Sequence, residues 1–127
     1  MRLLLDTQLL IWATTGSERG KGARPLIDAP DNLILFSVSS LWEIAIKRAL
    51  DRPGFRFDPA WLRAELLDAG YEELPILAPH ALAVATLPPI HRDPFDRILI
   101  AQAQTEGLTL LTTDGQIARY PGDIRRV

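Results

Sequence analysis

The sequence predicts an α/β protein, a three-layer α/β/α sandwich around a central parallel sheet of about five strands. Short apolar runs of strand length alternate along the chain with segments whose apolar residues recur at helical spacing. Strands separated by helices of that length pair in parallel, because the crossover returns the chain to the same edge of the sheet. A second pattern is chemical: Asp6, Glu43, Asp96 and Asp114 each stand where a predicted strand gives way to a helix, or in the first turn of that helix. In a parallel sheet the ligand site lies beyond the carboxyl ends of the strands, so the four acids share one edge.

The elements follow in order. Arg2 to Leu5 is an apolar run that reads as a buried strand, and Thr7 to Thr14 is a helix carrying Leu9, Leu10 and Trp12, with Asp6 at the junction. Residues 15–32 hold Gly16, Gly20, Gly22, Pro25 and Pro30, which predicts a flexible loop around a short helix near Ala23 to Ala29. Asn32 to Val38 is the second strand, and Ser40-Leu-Trp-Glu43 opens a helix that runs to Leu50 and stops at Pro53-Gly54. Asp58-Pro59 starts the next helix, with Trp61, Leu62, Leu66 and Leu67 at helical spacing and Gly70 as its stop. Tyr71 to Ile76 is the third strand, and Pro79 to Leu87 is a short helix closed by Pro88-Pro89. Pro94 to Glu106 is a stronger helix, with Phe95, Ile98, Leu99 and Ala103 on one face and Gly107 after it. Leu108 to Thr112 is the fourth strand; a short helix from Asp114 to Tyr120 and a weak fifth strand at Ile124 to Val127 complete the reading.

The 127 residues suit one domain, 1–127, and the 47% apolar content is enough to bury a continuous core. Cysteine is absent, which excludes disulfides and thiolate metal sites and suits a reducing, cytoplasmic setting. No apolar run is long enough to span a membrane, and the charge at Asp6 cuts short any signal-peptide core. The net charge of −2 looks unfavourable for a polyanion substrate. If Asp6, Glu43, Asp93, Asp96 and Asp114 line a metal site, however, the other 11 acids face 14 Lys and Arg, and the rest of the surface is net positive.

Each acid has a structural explanation. Ser40-Leu-Trp-Glu43 is a capping-box pattern, Asp93-Pro94-Phe95-Asp96 reads as an N-cap followed by proline and a dipole-favoured carboxylate, and Asp6 and Asp114 would cap the helices after them. Four carboxylates on one edge need more than caps. Two of them about 4 Å apart repel by roughly 4 kcal/mol at an effective dielectric near 20, so four require protonation or a cation. Oxygen ligands with no His or Cys at matching spacing select Mg²⁺ or Mn²⁺ over zinc, and ions of that kind keep waters that serve as nucleophiles. The pattern points to a metal-dependent hydrolase.

Leu3-Leu-Leu-Asp6-Thr7, Ser39-Ser-Leu-Trp-Glu43-Ile-Ala-Ile-Lys47, His91-Arg-Asp-Pro-Phe-Asp96-Arg-Ile-Leu-Ile-Ala-Gln-Ala103 and Leu110-Leu-Thr-Thr-Asp114 resemble, in order, the acidic motifs of PIN-domain nucleases, most nearly the VapC-type toxins of bacterial toxin–antitoxin pairs. The resemblance covers essentially the whole chain. It implies a Mg²⁺- or Mn²⁺-dependent ribonuclease, a homodimer, and neutralisation by a cognate antitoxin protein. Carried onto this sequence, Asp6, Glu43, Asp96 and Asp114 match the acidic quartet. Asp93 is an extra acid beside the third motif. Thr7 and Thr113 flank two of the acids, where their hydroxyls could orient a carboxylate. Arg92 and Arg97 are placed by sequence to contact RNA phosphates.

Competing classes fit less well. A haloacid-dehalogenase-like phosphatase needs an acid at position 8, which is Gln8, and a receiver domain needs an acidic pair where Leu5 precedes Asp6. Gly16-Ser-Glu-Arg-Gly-Lys-Gly has the wrong spacing for a phosphate loop. A non-catalytic RNA- or protein-binding module of the same fold is the alternative. His80 reads as a helix-surface residue, His91 as a loop residue, and Trp12, Trp42 and Trp61 as core or dimer contacts.

Overall fold

In the computed structural model, which describes residues 1–127, the strands β1 (Arg2–Leu5), β2 (Leu33–Ser37), β3 (Glu72–Leu74), β4 (Thr109–Thr112) and β5 (Ile124–Arg126) form one sheet. Its order is β3-β2-β1-β4-β5, and every neighbouring pair is parallel. β1 takes the centre because Leu3, Leu4 and Leu5 are fully buried and need cover on both faces.

Strand alternation divides the apolar residues between two cores. Leu3 and Leu5, with Ile34 and Phe36 of β2, pack under α1 (Thr7–Thr15), α3 (Val38–Ala49) and α4 (Pro59–Asp68). Leu4, Leu35 and Leu110 point the other way and meet Leu99, Ile100 and Ala103 of α6 (Pro94–Glu106), with α5 (Ala78–Val84) at the margin. Each fully buried leucine contributes roughly 2 kcal/mol, so both helical layers are held firmly. This is the predicted α/β/α sandwich of five parallel strands.

Local chemistry sets the helix ends. Asp6 caps α1 by accepting from Leu9 N–H, and Gly16 ends it at φ 71°, a left-handed conformation that a Cβ disfavours. Asp93 caps α6, Pro94 occupies its first position, and Gly107 ends it at φ 67°. Asp58 and Pro59 start α4 as the sequence indicates.

Other boundaries move. The short helix predicted near Ala23 to Ala29 is the four-residue α2 (Arg24–Ile27), and a 3₁₀ turn, Glu18–Ala23, runs into it. Gly20 is buried there, where a Cβ would lie 3.1 Å from Trp12 Cβ, so glycine allows the turn to pack on α1 instead of making a loose loop. The predicted helix after Asp114 is only a 3₁₀ turn, Ile117–Arg119. α3 begins at Val38, capped by Ser37 Oγ, so β2 passes into α3 without a loop.

Two further expectations are corrected. His80 is fully buried: its Nδ1 accepts from Leu77 N–H, which leaves Nε2 to carry the proton and donate to Glu106 Oε1 at 2.7 Å, tying the start of α5 to the end of α6. Trp42 and Trp61 are 58% and 46% exposed, which removes the core half of the core-or-dimer reading for those two, while Trp12 packs against the core. Trp42 meets Phe95 edge to face instead and lines an apolar groove of about 340 Å³ with Ile76, Val84 and Ile98.

Candidate active site

The carboxyl ends of β1 and β4, the middle of α3 and the first turn of α6 open onto one polar cavity of about 240 Å³. Asp6, Glu43, Asp96 and Asp114 all line it, joined by Asp93, Thr7, Thr113, Gln8 and Lys47. The parallel register produces this convergence. Leu5 stands opposite Leu111, so the residues that follow them, Asp6 and Thr112, emerge side by side.

Asp6 is 4% exposed and held on both oxygens, Oδ1 by Leu9 N–H at 2.8 Å and Oδ2 by the Thr112 hydroxyl at 2.5 Å. Burial pushes its pKa up to about 6; the bonds from Thr112, Leu9 and the Thr113 backbone pull it back, and Asp114 adds repulsion. Asp96, third residue of α6, is pushed up to about 7, first by burial and then by the charges of Asp93 and Glu43. His91 acts in the opposite direction, and Asp6 adds to the rise. The acids therefore sense one another, as carboxylates sharing a site must.

Glu43 is not part of a capping box. With Ser37 as the cap it is the sixth residue of α3, in the second turn, too far along to reach back to the helix start. Ser40 instead shares a hydrogen bond of 2.9 Å with Thr7, joining α3 to α1. Glu43 Oε2 pairs with Lys47 Nζ one turn on, while Oε1 is buried with no partner at all. An unsatisfied buried carboxylate oxygen costs several kcal/mol unless something else meets it.

The flanking residues behave differently from expectation. Thr7 and Ser40 share a hydrogen bond between their hydroxyls and Thr7 bonds no carboxylate, and Thr113 acts on Asp6 through its backbone, whereas the hydroxyl that orients Asp6 belongs to Thr112. Asp93 is a cap, its Oδ1 accepting from Phe95 N–H at 2.8 Å and Asp96 N–H at 3.4 Å, and it also lines the cavity. Arg92 is exposed and makes no ion pair. Arg97 is not available to a phosphate: its guanidinium donates to the carbonyls of Val84, Leu87, Pro88 and His91 and to the Tyr120 hydroxyl. Five acceptors around a partly buried guanidinium make it a pin for the 84–91 segment.

Two residues were missed. Lys47, given no role by the sequence, is the one cationic side chain lining the cavity. Its spacing of four from Glu43 on a helix was the available signal. His91 is not a bystander: Nε2 lies 2.8 Å from Asp96 Oδ2 and 3.7 Å from Asp114 Oδ2. The one set of three His, Asp and Glu side chains whose donor atoms all lie within 4.8 Å of one another is His91, Asp93 and Asp96. A ring nitrogen thus stands beside two of the four acids. The quartet lines the cavity without closing on a point; with the orphaned Glu43 Oε1 and two carboxyls held above their ordinary range, it fits a divalent cation.

A search of curated proteins finds none that matches the sequence. Among solved structures, the chain is similar to that of VapBC2 from Rickettsia felis bound to a DNA fragment from its promoter, with a TM-score of 0.71 at 18% identity, covering 99% of this chain and 98% of that one. DNA-bound VapBC from Salmonella typhimurium gives 0.66 at 19%, covering 99% and 98%. VapC20 of Mycobacterium tuberculosis, described as a sarcin–ricin loop cleaving toxin, gives 0.64 at 16%, covering 94% and 96%. At these identities the likeness is one of fold. The family model for the PIN domain matches residues 3–123, and with its acids gathered at the carboxyl edge of a five-stranded parallel sheet, the chain belongs to the PIN-domain family.

Proposed function

We propose that the protein is a metal-dependent endoribonuclease, the toxin of a toxin–antitoxin pair, with Asp6, Glu43, Asp96 and Asp114 holding Mg²⁺ or Mn²⁺. The observation that carries the reading is the buried, unpartnered Glu43 Oε1 in a cavity shared with three other carboxylates. A divalent cation there supplies Lewis-acid stabilisation to a phosphodiester and acidifies a water.

The chain's own residues do the rest. Thr112, Leu9 N–H and Thr113 N–H fix both oxygens of Asp6, so that carboxylate is preorganised. Lys47 sits at the cavity wall to meet phosphate charge, the role first expected of Arg97; Arg92, exposed and next to Asp93 in the chain, is assigned to a flanking phosphate. A larger cleft of about 750 Å³ shares Gln8 with the cavity and is lined by Trp12, Phe57, Arg19 and Arg56. Aromatic faces interleaved with arginines suit a single RNA strand, which would stack and thread toward the acids.

An antitoxin would inhibit by covering the same cleft. The VapBC neighbours, solved as complexes and two of them with DNA, support a protein partner of that kind. The apolar groove around Trp42 is the face we assign to a homodimer. No helix is long and apolar enough to cross a membrane.

Incubation of the purified protein with single-stranded RNA tests the reading. Cleavage is expected with Mg²⁺ or Mn²⁺ and none in EDTA. Cleavage that persists in EDTA refutes the metal site, and tight RNA binding without cleavage in either ion favours the binding-module alternative.

A further inference from the structure

We propose that His91 is a nitrogen ligand of the cation, making the centre a mixed nitrogen–oxygen site that prefers Mn²⁺ to Mg²⁺. The inference rests on the metal-site reading above and goes beyond it in naming a donor outside the acidic quartet.

The spacing is that of neighbouring ligands. In an octahedral ion with bonds of roughly 2.1 Å, adjacent donors stand about 3 Å apart. His91 Nε2 is 2.8 Å from Asp96 Oδ2 and 3.7 Å from Asp114 Oδ2, so a cation bound at Asp96 would lie within reach of the imidazole. Asp93 completes the compact trio, its Oδ1 engaged in capping α6. Independently of this trio, Glu43, itself 4% exposed, presents an unpartnered oxygen to the cavity that Asp93, Asp96 and Asp114 line.

The main chain at His91 is also held in place. His91 N–H donates to Tyr120 Oη at 2.7 Å, that hydroxyl donates back to His91 O at 3.2 Å, and Arg97 Nη1 reaches both Tyr120 Oη and His91 O. Backbone anchoring of this kind fixes the main chain that carries the ring beside Asp96 before any ion arrives. The ring's partners within the protein are the two carboxylates alone. Imidazole suits first-row transition ions, whereas Mg²⁺ keeps to oxygen donors and water. A nitrogen in the donor set therefore tilts selection toward Mn²⁺.

The test uses Mn²⁺ as the probe on the purified chain. Electron spin-echo envelope modulation is expected to show ¹⁴N coupling from a directly bound imidazole. The assignment is unambiguous, because the only other histidine, His80, is buried against Glu106. In His91→Gln the coupling should vanish and Mn²⁺ affinity fall about tenfold, with Mg²⁺ affinity changed less than about threefold. Bound Mn²⁺ without ¹⁴N coupling in the wild type overturns the proposal while leaving the carboxylate site intact, and so do equal losses for the two ions in the variant. Failure of the wild type to bind Mn²⁺ at all overturns the metal-site reading itself. Because the wild-type spectrum decides the matter alone, the test survives a variant that does not fold.

Discussion

Thr112 donates its hydroxyl proton to Asp6 Oδ2, and this bond, with Leu9 N–H on the other oxygen, makes Asp6 both a structural cap and a candidate ligand. Asp96 has no such support: its carboxylate meets only His91, amid the charges of Asp93 and Glu43. The two acids should therefore respond differently to neutralisation. Asp96→Asn is expected to raise the stability of the metal-free protein by about 1 kcal/mol, because it removes repulsion and little else. Asp6→Asn should leave stability within about 1 kcal/mol, since Asn still caps a helix. Both should lose at least about 100-fold in RNA cleavage. Denaturant unfolding in EDTA and cleavage assays check this; two inactive variants that are both clearly destabilised would favour plain helix caps.

Stability of the metal-free protein should fall as pH rises. In the unfolded chain both Asp6 and Asp96 release their protons near 3.8, whereas the fold keeps them until about 6 and about 7. Their contribution is whole below pH 3.8, declines as pH climbs through the window between, and is gone above about 7. The melting temperature in EDTA is expected to be higher at pH 5 than at pH 8, by on the order of 5 °C. Asp96→Asn should flatten this slope. The same slope in wild type and variant would mean that Asp96 does not titrate as its surroundings dictate.

Arg97→Ala should destabilise the protein by roughly 2–4 kcal/mol, because it leaves a cluster of carbonyls without their donor. Lysine cannot rescue it, having no planar fork to span Val84, Leu87, Pro88 and His91. Arg92→Ala should change stability by less than about 0.5 kcal/mol and weaken RNA binding. If instead Arg97→Ala folds normally and fails only in RNA binding, the pin assignment is wrong.

Glu43→Gln separates chemistry from capping. With the helix capped at Ser37, Ser40→Ala should lose only the bond to Thr7, about 1 kcal/mol, while Ser37→Ala should cost more, because it removes both the cap and a buried contact to Gln102. Glu43→Gln is expected to abolish cleavage with little loss of stability. Retained activity would remove Glu43 from the site.

Much of this was legible in the sequence because the signals were local. Asp93-Pro94 and Gly107 bracket α6 at the predicted residues, and the strand–helix alternation announces the parallel sheet and its acidic edge. What escaped depends on contacts across space. Ser40 looks like a cap, yet helix φ and ψ already hold from Val38, because Ser37 ends β2 and caps α3 at once. Arg97 lies beside an acidic motif but points at carbonyls from an earlier segment, and no periodicity reports direction at that level. Thr7 and Thr113 are the hydroxyls adjacent in sequence to Asp6 and Asp114, but the β1–β4 register sets Thr112 beside the Asp6 carboxylate. His91 carried no periodic signal because it lies in the loop before α6, and its second partner, Asp114, follows β4.

The α3–α4 connection also divides the chain in a way that could be exploited. Residues 51–54 are all exposed, Asp51 and Gly54 have φ of 52° and 84°, and the segment lies between the second acid and the third. A break there would leave Asp6 and Glu43 on one fragment and Asp96 and Asp114 on the other. The pairings β1–β4 and β2–β3 would then join separate molecules. Neither fragment could form the cavity by itself, so activity would depend on reunion of the two halves and could be placed under the control of any pair of proteins fused to them.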